Sequence, residues 1–539
     1  MGPARSCNRC SARFLRGTAL CLAATLAGFL AFGCRTATPA DTPEALLKTA
    51  VSGHGRARDD ATDAILRLAE RLAAHGETAR AEVMYRTLWN ASPSADRRHV
   101  RCAAIRGLAH VQGPAAVDVL VEAMRGDDVQ VGAAATEAAA EVPGRDVTLA
   151  WANRLATAPE DVRPTVVCIL GRRGGAGAED AIRSAMTADA PAVRRAATEA
   201  AGNLGTPGFV GPLVRALGSA DTAVRAAAEM ALARLPHAGA SRAIAAHLPV
   251  AEPAVRVRLV DVLLARAARE EADALAACLA NGPVVERKAV LGALAILGDA
   301  RHVPAILDVL RKTADDGVRA AAERALVRIA RRVDACEVAE PAIAALAGAG
   351  DNATAALLAV LVEAPTAEAL ETVRRAVRSG NETVRGQAVR ALAAWPGVEA
   401  AADLLALAVK APESKHRILA LRGYIRVAGE EQPAEKRVAM YRRAIGVAER
   451  ASEKRLALAR LAGVPSPLAL GLALDVTGDE TLRREAAAAV VGIAEGIAAS
   501  YPGEAKAALE AVVDGLGGGK LRERAERLLH RLHARSTGG

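Results

Sequence analysis

Arginine returns in this chain at a fixed interval: Arg163, Arg194, Arg225, Arg256 and Arg287 are each 31 residues apart, and Arg101 lies two periods before Arg163, with Gly132 between them. A recurrence of that length restricts the chain to an architecture made of stacked copies of one small unit, because no single core imposes a period on 539 residues. Basic residues are common here, so the neighbours decide whether the grid has meaning. Val162, Val193, Val224 and Val255 stand immediately before four of those arginines.

The unit is helical. Val224, Ala227, Ala228, Ala231, Leu232 and Leu235 fall on one face of a helix, with Arg225, Glu229 and Arg234 away from it. Pro159, Pro191, Pro253 and Pro283 precede the valine or its equivalent by two or three residues, where a first-turn proline gives up no needed N–H. Asp221 is placed to cap its own helix, and Gly205 and Gly298 to close theirs in the left-handed conformation. After Gly205, Val210, Leu213, Val214 and Leu217 mark a second, shorter helix. One period therefore reads helix, turn, helix, turn. Aromatic residues make up only 2% of the chain, which suits closely packed small helices and disfavours a β-sandwich.

The period, the paired helices and the D-x-x-V-R-x-x-A pattern resemble the HEAT-repeat family, in particular the short bacterial repeats related to phycobilin lyases. The resemblance implies an all-α superhelix, a solenoid of about fourteen helix pairs over residues 96–535. It also implies a structural ladder in which each repeat's arginine meets an acid at an adjoining turn. The arginines so assigned are Arg101, Arg163, Arg194, Arg225, Arg256, Arg287, Arg319 and Arg385; Asp127, Asp161, Asp189, Asp221 and Asp315 stand as candidate partners. Later repeats drift in spacing, and the stretches 334–352 and 428–446 are the expected hinges. Residues 43–95 read as an N-terminal helical cap, and the terminal KLRERAERLLHRLHAR as a closing one.

The first 33 residues stand apart. Arg5, Arg9, Arg13 and Arg16, without an acid, precede the apolar run GTALCLAATLAGFLAFG, the order of a signal peptide; a single membrane span is the other reading. The following LAFGC resembles the lipobox of bacterial lipoproteins, which makes Cys34 the lipid-attachment residue and 34–42 a tether, although Ala31 replaces the usual Leu and Phe32 is bulky for its place. Arg35 after that cysteine implies the outer membrane. The rival reading is ordinary cleavage that leaves a soluble periplasmic protein. Loss of the leader lowers the formal charge from +9 by four arginines, to about +5.

No chemistry presents itself. The histidines form no H-E-x-x-H, and GLGGGKL at 515–521 lacks the first Gly and the Ser or Thr of a phosphate loop. Cys102, Cys168, Cys278 and Cys336 are too far apart in sequence for a zinc motif and read as buried small hydrophobes. Phe209 and seven scattered Trp and Tyr residues offer no stacking platform for single-stranded nucleic acid. The expectation is a lipid-anchored cell-envelope scaffold, facing the periplasm, that binds other proteins on its concave face. It is expected to use no catalytic residue, cofactor, metal or nucleic acid. The alternative is a soluble periplasmic enzyme subunit of the lyase-like type.

Overall fold

The computed structural model describes residues 42–92 and 95–537. Cys34, the leader and most of the tether lie outside the described residues. Two compact units divide the chain, one ending at Phe209 and the other beginning at Val210. Both are all-α, and no strand occurs among the described residues.

The first unit opens with α1 (Pro43–Ser52), α2 (Gly55–Ala74) and α3 (Thr78–Asn90). Three helix pairs follow: α4 (Arg98–Gln112) with α5 (Val117–Arg125), α6 (Val129–Glu141) with α7 (Arg145–Thr157), and α8 (Arg163–Arg173) with α9 (Ala176–Ala185). The unit continues through α10 (Pro191–Leu204) to a short 3-10 turn, Pro207–Phe209. Buried Arg97, 4% exposed, ties the opening helices to the array. Its guanidinium donates to the Ala50 carbonyl at 3.1 Å and to Thr62 Oγ1 at 2.7 Å.

The second unit begins with α11 (Val210–Leu217) and repeats the pairing. In order come α12 (Thr222–Arg234) with α13 (Ala240–Ala245), α14 (Pro253–Ala265) with α15 (Ala272–Ala277), and α16 (Val284–Leu297) with α17 (Val303–Lys312). Next are α18 (Asp316–Ala330) with α19 (Ala335–Ala345), α20 (Asp351–Glu363) with α21 (Ala367–Val377), and α22 (Glu382–Ala394) with α23 (Ala401–Lys410). The last pairs are α24 (Ser414–Ala428) with α25 (Ala434–Val447), α26 (Ala451–Leu461) with α27 (Pro467–Val476), and α28 (Arg483–Ile497) with α29 (Pro502–Val513). α30 (Lys520–Thr537) ends the described chain where a further pair would begin. The two stretches expected to be hinges contain the helices α19, with Pro341 inside it, and α25.

Packing follows the sequence pattern closely. Each first helix of a pair lies against the first helix of the next, as α14, α16, α18 and α20 do in turn. The face read from the sequence is buried: Val224, Ala227, Ala228, Ala231, Leu232 and Leu235 all lie inside. Small residues set the spacing between these helices. A Cβ added to Gly171 would come within 2.7 Å of Ala200 Cβ, and one added to Gly423 within 2.8 Å of the Ala393 backbone. Backbones that approach so closely leave no room for a side chain.

Punctuation holds in part. The Asp221 carboxylate accepts from the Ala223 and Val224 N–H groups, and Pro191 and Pro253 begin their helices. Gly205 closes α10 in the left-handed conformation, with φ 64°. Gly298 does not: it is extended, with φ −71° and ψ 162°, and its added Cβ would meet the Leu294 carbonyl at 2.6 Å. There the glycine provides clearance, and the handedness expected of it is absent.

The cysteine expectation fails for two residues. Cys168 and Cys336 are exposed, and Cys102 and Cys278 half-buried. In α8 the buried residues Val166, Val167, Ile169 and Leu170 surround Cys168 in sequence but point to other sides of the helix. Alkylation of the native protein should therefore modify Cys168 and Cys336 well before Cys102 and Cys278; peptide mass mapping of a short iodoacetamide pulse reads the order.

Candidate interaction surface

The repeat arginines act on the backbone. Seven of the eight reach back five or six residues to carbonyls in the turn before their own helix. Arg163 Nε donates to Ala158 O at 3.0 Å, Arg194 Nη1 to Ala188 O and Asp189 O at 2.7 and 2.6 Å, and Arg225 Nη1 to Ser219 O and Ala220 O at 2.6 and 2.8 Å. Arg256 takes Ala251 O, Arg287 takes Gly282 O, Arg319 takes Thr313 O, and Arg385 takes Ser379 O and Gly380 O. These carbonyls have left the preceding helix without an N–H to accept, and a cation there also opposes the negative end of the helix dipole.

Arg101 departs from the register. Its guanidinium lies over the Trp89 ring, 4.2 Å from the centroid, a cation–π contact with the end of α3.

Four of the five aspartates expected as ladder partners have other roles. Asp221 and Asp315 cap α12 and α18, Asp161 pairs with Arg125, and Asp189 offers Arg194 its backbone carbonyl. A flexible guanidinium close to its own turn finds the free carbonyls before a side chain one layer away. Ion pairs one period apart do exist, with glutamates in most of them: Arg256 Nε lies 2.9 Å from Glu286 Oε1, Arg417 Nε 3.3 Å from Glu449, and Arg455 Nε 3.0 Å from Glu485. Arg98 pairs with Asp128, the cap of α6.

A second set of arginines was not legible in the sequence. Arg173, Arg266, Arg332 and Arg426 sit at or just beyond the C-terminal ends of α8, α14, α18 and α24. Each donates to carbonyls near the end of the first helix of the preceding pair. Arg266 Nη1 reaches Leu232 O, Ala233 O and Leu235 O at 2.9, 3.1 and 3.1 Å while its Nε donates to Ser241 Oγ at 3.0 Å. Arg173 binds Ala139 O, Val142 O and Gly144 O; Arg332 binds Ala295 O and Gly298 O; Arg426 binds Ala393 O and Trp395 O. Burial lowers the pKa of all four guanidiniums. They are staples between layers. The available signal was the interval from Arg173 to Arg266, which is three periods of 31.

Clefts open between the second helices of neighbouring pairs. A cleft of about 680 Å³ lies in the second unit between α21 and α23. Val389 and Leu392 of α22 form its floor, and Val377 and Leu407 line its sides. Arg374 braces one end, donating from Nε to Asp403 Oδ2 at 2.9 Å, from Nη2 to Glu399 O at 2.9 Å and from Nη1 to Glu371 Oε1 at 2.6 Å. Among the described residues, no cluster of three or more His, Cys, Asp and Glu side chains could hold a metal ion, and no helix is long and apolar enough to cross a membrane.

Comparison with known proteins agrees with this architecture. Residues 147–233 match the family model for HEAT repeats. A chain in a homology model of the full-length AP-3 complex in an intermediate open conformation is similar over 96% of this chain and 100% of its own length, with TM-score 0.51 and 11% identity. Kap121p bound to Ste12p matches 84% of this chain with TM-score 0.45 and 12% identity; this chain covers 56% of its length. A chain in the structure of Kap95p with RanGDP matches 93% of this chain with TM-score 0.37 and 14% identity, and 80% of its own length is covered. No curated protein matches the sequence. The fold is that of an all-α solenoid, and the likeness to HEAT repeats is placed at residues 147–233.

Proposed function

We propose that the chain is a lipid-anchored scaffold of the bacterial cell envelope that holds other proteins on its repeat surface. The observation that carries the binding role is the HEAT-repeat stack itself. The ladder and staple arginines are directed to backbone carbonyls within the stack, so that the side chains left to meet a ligand are distributed over successive repeats. Recognition by such a surface rests on many modest contacts. The anchor is supported by the LAFGC sequence at residues 30–34 and the basic, then apolar, leader before it. Acyl chains on Cys34 and on its amino group supply the two or more hydrophobic signals that stable attachment needs.

Expression with the leader in a bacterium, followed by intact mass and detergent partitioning, tests the anchor. The wild-type chain is expected in the detergent phase with added acyl mass on Cys34, and Cys34→Ser in the aqueous phase without it. Equal partitioning of two unmodified forms rejects the anchor.

A further inference from the structure

We infer that the α21–α23 cleft and its continuation along α25 and α27 form a docking groove for an acidic segment of a partner protein that carries apolar anchor residues. The inference rests on the scaffold reading and gives the partner a chemistry. Three clefts run together. The first shares Ala406 and Lys410 with a second of about 440 Å³, which in turn shares Tyr424, Met440 and Arg443 with a third of about 450 Å³. In the second and third, apolar side chains remain open to solvent: Val409 is 55% exposed in the second and Leu468 53% exposed in the third.

Charge selects the occupant. Arg374 is neutralised by Glu371 and Asp403, Arg385 is held by carbonyls and by Glu413, and Arg442 pairs with Asp475. Arg378, Lys410 and Arg443 are exposed around these clefts with no ion pair or side-chain hydrogen bond among the described residues, against one such exposed acid in the linings, Glu435 of the third. A row of open cations beside apolar clefts fits carboxylates alternating with apolar side chains. A phosphate backbone would use the cations and leave the apolar floor unfilled. Successive layers of helices lie roughly 8–10 Å apart, the distance covered by about three residues of extended chain or about two turns of helix. The Arg374 brace fixes the first cleft before anything binds, which reduces the ordering cost of association.

Fluorescence anisotropy on the full chain tests the groove. The probes are a labelled peptide of about fourteen residues with leucine at every third or fourth position and glutamate between, its lysine-for-glutamate counterpart, a labelled oligothymidylate, and phosphatidylglycerol vesicles. The acidic peptide is expected to bind and to weaken as salt rises. Arg378→Glu with Lys410→Glu should weaken it at least about tenfold and Val409→Glu at least about fivefold, with circular dichroism unchanged because all three side chains are exposed. No binding of the acidic peptide, or equal binding by the variants, overturns the inference. So does binding of oligothymidylate or vesicles with the same dependence on these variants. If envelope proteins cross-linked to the wild-type chain are retained equally by the double variant, the groove fails and the scaffold reading stands; if the wild-type chain retains none, the scaffold reading itself fails.

Discussion

Val224→Asp is expected to destabilise the second unit by about 3–4 kcal/mol, the cost of leaving a carboxylate without a partner between packed helices. Val224 is 3% exposed and occupies the first turn of α12, with Ala227, Ala228 and Ala231 on the same inward face. Burial raises the pKa of such an acid, so part of the penalty appears as protonation, and the loss should be smaller at low pH than at pH 7. The linkage has a definite sign. A folded-state pKa above the unfolded one makes the variant relatively more stable at acid pH and less stable as pH rises through the folded value. Ala226, two residues on, is exposed, and Ala226→Asp should stay within roughly 0.5 kcal/mol of wild type. Thermal melting by circular dichroism reads both. A loss of at least about 5 °C for Val224→Asp and little change for Ala226→Asp is the expected pattern. Equal melting for the two would reject the assignment of faces on which the repeat reading depends.

The face could be read because local and tertiary requirements coincide. Val224 recurs on a 31-residue grid, Asp221 caps the same helix, and Leu235 closes the apolar stripe. Each copy must bury the same stripe against the next, so the pattern is written many times and drift in one repeat does not erase it. What the sequence hid were contacts to backbone, since a carbonyl has no letter. The family resemblance implies an acid at an adjoining turn for Arg225, yet its donors meet Ser219 O and Ala220 O, atoms supplied by residues whose identity is nearly irrelevant. Gly298 shows the same limitation in another form. Glycine at a helix end signals either a left-handed turn or a place without room for Cβ, and only the backbone angles distinguish them. The interaction groove was illegible for a third reason. Val409, Met440 and Leu468 belong to three different repeats, and nothing along the chain announces that stacking leaves them side by side.

Arg266→Ala should cost about 2–3 kcal/mol, more than removal of an ordinary exposed arginine, because one guanidinium serves four acceptors. Leu232 O, Ala233 O and Leu235 O lie at the end of α12, where the helix has no further N–H groups to offer, and Ser241 Oγ lies at the start of α13. A hydrogen bond from a charged donor contributes about 1.5–3 kcal/mol, and carbonyls left without a donor add a desolvation penalty wherever water cannot reach them. Water reaches part of this turn, which keeps the total well below the sum of the separate bonds. Arg266→Lys should recover less than half of the loss. A single ammonium cannot present the planar fork that binds the carbonyls with one nitrogen and Ser241 with another. Arg266→Met separates packing from hydrogen bonding, since it keeps an apolar stem and donates nothing. Denaturant melts of the three variants, with Ser241→Ala as the partner in a double-mutant cycle, test the staple. Additive losses in that cycle, or a lysine variant as stable as wild type, would show that Arg266 acts only as bulk and charge. The same substitution at Arg426 removes a staple between α24 and the end of α22, in layers that do not touch α12 or α13. The two losses should therefore add, as expected for a stack in which each layer is held by its neighbours alone.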